Sequence, residues 1–548
     1  MSALPRFDDI HDALLGRGFT QANTVALQYR GVLNVCGETI PVYIDFADAE
    51  LQSLPIIRLD QLPAWVPPGC NHILSGNVIC YANSKLAFVD RYDAGPQILG
   101  CLDSATAVLL DVKRGNVAGD VNGEFAAYWR GDGILLDAPP AITFQALKVV
   151  TLALPAKQLH LLCSTGIDAI QKYTHYSPQE TEAAAFLLPS QQPLLAGTSD
   201  WPPQTLQSLT HWLQDVAPAL LREFRVALAQ LNGRWVNRVF VIVQAKPTWV
   251  GFSFDLPMHA RTVKFRHQKG FINAIWSRSA GTAVKRYLPL RIDTEYLVDR
   301  NLRDEEKSLL AKRILLVGCG AIGGHVAHGL ARCGAGFGGG SLTLIDPDFF
   351  SGGNIGRHRL GFDALLSEKS QALAQDLTRS LPGIDVRPRT GSALDLPLKH
   401  FDLIIDATGE EQLSEALNAR FVVGESPPIL FVWINGNGTS VQSFMLANED
   451  QGCLHCWKSH GTRRDFDPSA NSPVDIRIGR GCDDAYTPFN GGAALTAAGL
   501  AIQAVTDWVS GVPEPTLRSI QIDYKMTQYI KPKSPRKTPS CPACGPKL

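Results

Sequence analysis

Residues 312–336 read KRILLVGCGAIGGHVAHGLARCGAG, and residues 341–348 read SLTLIDPD. The first stretch opens with an apolar run of strand length, crosses a glycine-rich turn and continues with helical spacing. The second is another short apolar strand. Together they make one βαβ unit. HFDLIIDATG at 400–409 and ILFVWINGNG at 429–438 repeat the strand-then-turn pattern. The alternation predicts an α/β fold over 301–548, a doubly wound, Rossmann-like parallel sheet.

Gly318, Gly320 and Gly323 space as G-x-G-x-x-G between the strand and its helix. Such glycines let backbone approach phosphate, and the helix N-terminus offers unpaired N–H groups to an anion. Asp346 ends the second strand, where a carboxylate accepts hydrogen bonds from ribose hydroxyls. That much suits a dinucleotide as well. Asn354, Arg357 and Lys369 follow on a loop and at the start of the next helix. A pyrophosphate is largely satisfied by the helix dipole, whereas a triphosphate calls for Arg and Lys partners.

GCGAIGG, IDPDFFSGGNIGRHRLG, EKSQALAQDL and IIDATG resemble the adenylation domain of the ubiquitin-activating superfamily, whose members include the ThiF and MoeB sulfur-carrier activators. The resemblance implies that ATP adenylates a carboxylate, with Asp346 on the ribose and Asn354, Arg357 and Lys369 on the triphosphate. The family places a magnesium-binding Asp in a T-D-N context, where this chain has Thr408-Gly409-Glu410. Asp406 is the expected substitute. Arg300, in VDRNLRDEE, resembles the arginine that the family sends across a dimer interface, so a homodimer is expected.

Cys453-Leu-His-Cys456 and Cys541-Pro-Ala-Cys544 are two CxxC pairs. Four thiolates complete a tetrahedral structural zinc site with no ligand position left open. Cys482 lies in RIGRGCDDAYTPFN, just before the helical stretch GGAALTAAGLAIQA. An arginine-rich loop lowers a thiol pKa, and in activating enzymes a cysteine there takes the acyl group from the adenylate.

Upstream, residues 7–17 have amphipathic helical spacing, strand-like segments lie at 24–35 and 39–46, a Pro/Gly-rich loop covers 63–77, and 96–112 have helical spacing again. Residues 1–140 thus read as an α+β domain: helix, antiparallel meander, long loop, helix. Within the loop, His72, Gly76, Asn77 and Cys80 resemble the active-site segment of ubiquitin-conjugating enzymes, which implies Cys80 as a second acyl carrier and His72 or Asn77 as the oxyanion group. Residues 141–300 carry no chemical motif and read as a structured linker, with one helix over 209–231 and a strand over 238–245. KPKSPRKTPS at 531–540 reads as a mobile polar loop.

Composition narrows the classes. Hydrophobic residues make up 45% and charged residues 19%, with a net charge of −1, so no global basic field argues for nucleic acid. No apolar run is long enough to span a bilayer, and no signal peptide precedes the first helix, so a cytoplasmic protein is expected. In that compartment the 12 cysteines stay reduced, and Cys36, Cys70, Cys101, Cys163, Cys319 and Cys333 are expected in the core.

A conjugating-type domain before an activating-type domain resembles the bacterial fusion enzymes of CBASS anti-phage operons. Those join the C-terminus of a cGAS-like nucleotidyltransferase to target lysine amines. Sulfur-carrier activation and an inactive binding scaffold are the alternative readings.

Overall fold

The computed structural model describes residues 7–23, 27–48, 51–66, 70, 72–82, 90, 92–116, 125–126, 129–154, 158–164, 178–195, 201–245, 248–262, 264–278, 281–458, 466–469, 472–478 and 485–545. The chain divides into two compact units: one of residues 1–167 and 175–291, the other of 168–174 and 292–548.

The first unit begins with helix Phe7–Gly16, which packs on helix Ala94–Arg114. Gly95 permits the close approach, since a Cβ there would stand 2.9 Å from the Asp9 carbonyl oxygen. Strands Thr20–Asn23, Gln28–Val35, Glu38–Asp45 and Ile56–Leu59 form an antiparallel meander. Their alternate residues, among them Tyr29, Leu33, Val42, Ile44 and Ile57, turn inward to meet Ile10, Leu14, Ile98 and Leu102 of the helices. Cys36 is exposed rather than buried. It sits in the hairpin turn at a φ of 53°, where Asn34 Oδ1 accepts from Gly37 N.

Residues 132–291 build a second body with its own core. Strand Asp132–Asp137 pairs with Lys285–Arg291 on one side and Gln158–Cys163 on the other. The order continues through Val250–Asp255, Arg238–Gln244, Ala183–Pro189 and Gln145–Ala153, and the last of these pairs back with Gln158–Cys163. The sheet therefore closes into a barrel of seven strands, which removes its edges. Ile134, Leu136, Leu162, Leu187, Phe240 and Ile242 fill the interior. Outside, Phe252, Phe254 and Val241 pack against two helices, Leu206–Val216 and Pro218–Ala229. A single helix was expected over this stretch. Ala217 leaves helical geometry at φ −150°, ψ 64°, because a residue before proline is crowded out of the helical region, and Pro218 then starts the second helix.

The second unit carries a seven-stranded sheet in the order Val386–Arg389, Ser341–Ile345, Arg313–Val317, Leu403–Asp406, Ile429–Asn435, Ser440–Leu446, Leu517–Gln521. The first five are mutually parallel, and the last two are added through antiparallel pairings, so that Ser440–Leu446 alone runs the other way. Helix Gly491–Val509, rich in buried alanine, lies against helix Ala321–Arg332, and Gly329 makes room for Ile502. The segment 531–540 is held rather than loose: Lys533 and Arg536 bridge to Leu517 and Gln451, and the Lys533 ammonium stands 3.8 Å from the centre of the Phe466 ring. Among the described residues no helix is long and apolar enough to cross a membrane.

Candidate active site

The glycine-rich turn owes its shape to tight packing. Gly318 has φ 88°, and a Cβ there would meet Thr408 Cγ2 at 2.8 Å. A Cβ on Gly323 would stand 1.8 Å from the Gly318 carbonyl oxygen, whereas Gly320 faces open space. The third glycine is thus required by the turn itself, and Gly320 leaves the helix N-terminus accessible.

That open space is a cavity of about 560 Å³ at the carboxyl ends of the parallel strands, where ligands of open α/β sheets bind. Gly318, Gly320, Asp346, Asn354, Arg357 and Lys369 all line it. Asp346 is 5% exposed. Its Oδ2 accepts from Cys319 N at 2.6 Å and its Oδ1 from Asp348 N at 2.8 Å, so two backbone donors fix the carboxylate at the cavity wall. Lys369 is also buried, and its ammonium lies 2.7 Å from Asp348 Oδ2. Asn354 caps its own turn, accepting from Ser351 N at 2.8 Å. The Arg357 guanidinium stacks 4.5 Å from the centre of the Phe489 ring. An acid fixed by backbone, two cations and a helix N-terminus form a lining matched to a ribose and a polyphosphate.

Two other predicted residues lie off this wall. Asp406 is 1% exposed and turned into the protein: it accepts from Thr408 N and Oγ1 and from Ser414 Oγ, at 3.1, 2.6 and 2.6 Å. Its carboxylate holds the turn, while Glu410, two residues beyond Thr408, lines the cavity. Arg300 lies outside the cavity of its own chain, at the end of helix Thr294–Asp299 and over the Tyr296 ring.

His358 did not stand out in the sequence. Its Nε2–H donates to the Cys319 carbonyl at 2.7 Å, and its Nδ1 accepts from Leu360 N at 3.0 Å. This neutral ring, held below the ordinary histidine pKa by burial, ties the glycine-rich turn to the Arg357 loop. The only signal was its place next to Arg357. Cys319, inside the turn, is a core thiol whose pKa burial drives well up.

Cys453, Cys456, Cys541 and Cys544 converge as their spacing predicted, with sulfurs all within 4.8 Å of one another. Cys453 Sγ is 3.8 Å from both Cys456 Sγ and Cys541 Sγ, near the edge of about 3.8 Å that a tetrahedron of Zn–S bonds of about 2.3 Å requires. Thr538 N points at Cys456 Sγ from 3.4 Å, the type of backbone support a thiolate ligand receives. Burial pushes the Cys453 thiol up, and a bound cation would favour its thiolate.

In the first unit, residues 72–80 form a tight hairpin. Cys80 N donates to the His72 carbonyl at 2.7 Å, Leu74 N to Val78 O at 2.7 Å, and Ile79 N to Ile57 O at 2.8 Å. The turn needs φ of 71° at Gly76 and 61° at Asn77, and His72 also adopts a positive φ, 66°. Cys80 is half-buried beside His72 at the open end of this hairpin. Cys482 lies outside the described residues; the helix after it is capped by Asn490, which accepts from Ala493 N.

Comparison with known proteins agrees with this division. The model of the ThiF family matches residues 295–543, and that of prokaryotic E2 family B matches residues 6–132. An ATP-dependent ubiquitin transferase-like protein, Cap2, of Pseudomonas aeruginosa is 30% identical over 100% of both chains. The Vibrio cholerae protein of that name is 26% identical over 79% of this chain and 80% of its own. Molybdopterin-synthase adenylyltransferase of Escherichia coli is 26% identical over 44% of this chain and 90% of its own. The chain therefore belongs to the ATP-dependent ubiquitin transferase-like family, and is an activating and conjugating enzyme of the fused kind found in CBASS anti-phage systems.

Proposed function

We propose that the cavity at Gly318 adenylates the C-terminal carboxylate of a cGAS-like nucleotidyltransferase, and that two cysteines then carry the acyl group to a target lysine. Asp346 binds the ribose hydroxyls. Asn354, Arg357 and Lys369 meet the triphosphate, the helix N-terminus behind Gly320 adding its dipole. A carboxylate oxygen of the partner attacks the α-phosphorus, the bond to the bridging oxygen breaks, and pyrophosphate leaves with its charge held by Arg357 and Lys369. The Cys482 thiolate displaces AMP to form a thioester, Cys80 accepts the acyl group by exchange, and the lysine amine attacks to give an amide. His72 or Asn77 stabilises the oxyanion on the Cys80 hairpin. The conjugating domain expected over 1–140 thus ends before strand Asp132–Asp137, which goes with the barrel of the connecting body, and 301–548 form the activating domain.

Magnesium accompanies the triphosphate. We assign it to Glu410, which faces the cavity, in place of Asp406, whose oxygens are engaged by Thr408 and Ser414. Zinc is structural and ties Cys541 and Cys544 of the C-terminal segment to Cys453 and Cys456. The enzyme acts in the cytoplasm as a homodimer in which the partner subunit's Arg300 completes the phosphate site.

The gathering of Asp346, Asn354, Arg357 and Lys369 on one cavity carries the reading. ATP–pyrophosphate exchange with the partner present tests it. Arg357→Ala and Lys369→Ala should each lower exchange about 100-fold or more. Exchange at the wild-type rate in either variant sinks the assignment. ATP binding without exchange in the wild type would favour the scaffold.

A further inference from the structure

A second cavity, of about 510 Å³, lies on the same sheet but against its outer strands. Its floor is Ser341 and Thr343 of one strand, both 5% exposed. Neither hydroxyl has a hydrogen-bond partner among the described residues, although both line the cavity. Neither hydroxyl is sealed from solvent, so each is available to bond a ligand in the cavity. The walls bring Arg313, Arg387, Arg389 and His400, and no carboxylate lines the cavity. Arg313 is held by Asp402 at 2.8 Å and Arg387 by Asp385 at 2.5 Å. Arg389 and His400 have no ion-pair partner among the described residues. Leu396, Pro397 and Phe401 supply an apolar side.

We propose that this cavity binds a phosphate ester with an apolar or aromatic body, separately from the nucleotide cavity. Arg389 offers a planar fork for the phosphate, Ser341 and Thr343 donate from below, and the Phe401 side covers the organic group. A carboxylate is satisfied by one bidentate arginine, whereas a guanidinium, an imidazole and two hydroxyls around one space match an anion with three terminal oxygens. The two cavities differ in charge, since the nucleotide cavity carries Asp346, Asp348 and Glu410. One segment separates them: Gly391, Ser392 and Ala393 face the nucleotide cavity, and Leu396, Pro397, His400 and Phe401 face this one.

Titration calorimetry on the full chain tests the proposal, with the nucleotide cavity saturated by α,β-methylene-ATP and phenyl phosphate as titrant. Wild type should show a saturable site, with inorganic phosphate binding more weakly than the ester. Arg389→Ala should weaken phenyl phosphate about tenfold and Thr343→Val about threefold, with ATP–pyrophosphate exchange unchanged in both. No saturable heat in wild type, equal affinity in Arg389→Ala, or inorganic phosphate binding as tightly as the ester would overturn it.

Discussion

The nucleotide cavity and the Cys80 hairpin reach their geometry by different routes. In the cavity, backbone donors and a buried histidine fix particular side chains: Asp346 by two amides, the glycine-rich turn by His358. In the hairpin the backbone carries the shape, through two hydrogen bonds across it, a third to Ile57 of the neighbouring strand, and positive φ at His72, Gly76 and Asn77. The contrast follows the chemistry assigned to each. Adenylyl transfer needs charges held rigidly before the reaction, whereas a thiol that passes an acyl group on needs accessibility and a nearby oxyanion donor.

Substitutions can break or sharpen that contrast. The largest effect is expected outside both, at the four-cysteine cluster. Cys541→Ser should lose the metal and much of a binding free energy that reaches roughly 10–16 kcal/mol in small zinc domains. Elemental analysis should find about one zinc per chain in the wild type, and a metal-free wild type of equal stability would refute the site. Next come two glycines. Gly323→Ala forces a Cβ to 1.8 Å from a carbonyl oxygen and should exceed the roughly 1–3 kcal/mol of ordinary overpacking. Gly76→Ala meets no atom within 4 Å and should lose only about 1–2 kcal/mol to its positive φ. Urea midpoints measure both, and equal losses would contradict the contrast.

His358 gives the smaller, pH-dependent effect. Its folded pKa is depressed, so the unfolded chain binds the proton more readily. The stability from the neutral ring is full above the unfolded value of about 6.5 and is lost as pH falls through the lower folded value. His358→Ala should lose about 1–3 kcal/mol at pH 7.5 by stranding Cys319 O and Leu360 N. His358→Gln can keep both bonds and should be less sensitive to acid than wild type. His325 and His328, also depressed by burial, leave part of the slope in place. An unchanged pH profile in His358→Gln would remove the histidine from the loop's account.

What the sequence made legible was local. The G-x-G-x-x-G turn, the strand-end Asp346 and the CxxC pairs are patterns in which spacing alone brings groups together, and the structure gathers them. The barrel was illegible, because strand Asp132–Asp137 finds its partner Lys285–Arg291 some 150 residues later and no periodicity records that pairing. The break at Ala217 was missed because Pro218 suits a first helical position as well as a kink within a longer helix. The carboxylate of Asp406 was assigned outward, whereas Thr408 and Ser414 turn it inward, a matter of side-chain partners that spacing does not encode. His358 was passed over because an isolated histidine has no pattern.

The central claim is acyl transfer through two thiols in one chain. The direct measurement is a non-reducing gel with ATP and the radiolabelled cGAS-like nucleotidyltransferase as partner. Wild type should show reductant-sensitive adducts at Cys482 and Cys80 and a reductant-stable conjugate. Cys80→Ala should accumulate the Cys482 adduct and form no conjugate. Normal conjugation by Cys80→Ala would contradict the account, and loading of Cys80 in Cys482→Ala would remove Cys482 from the path.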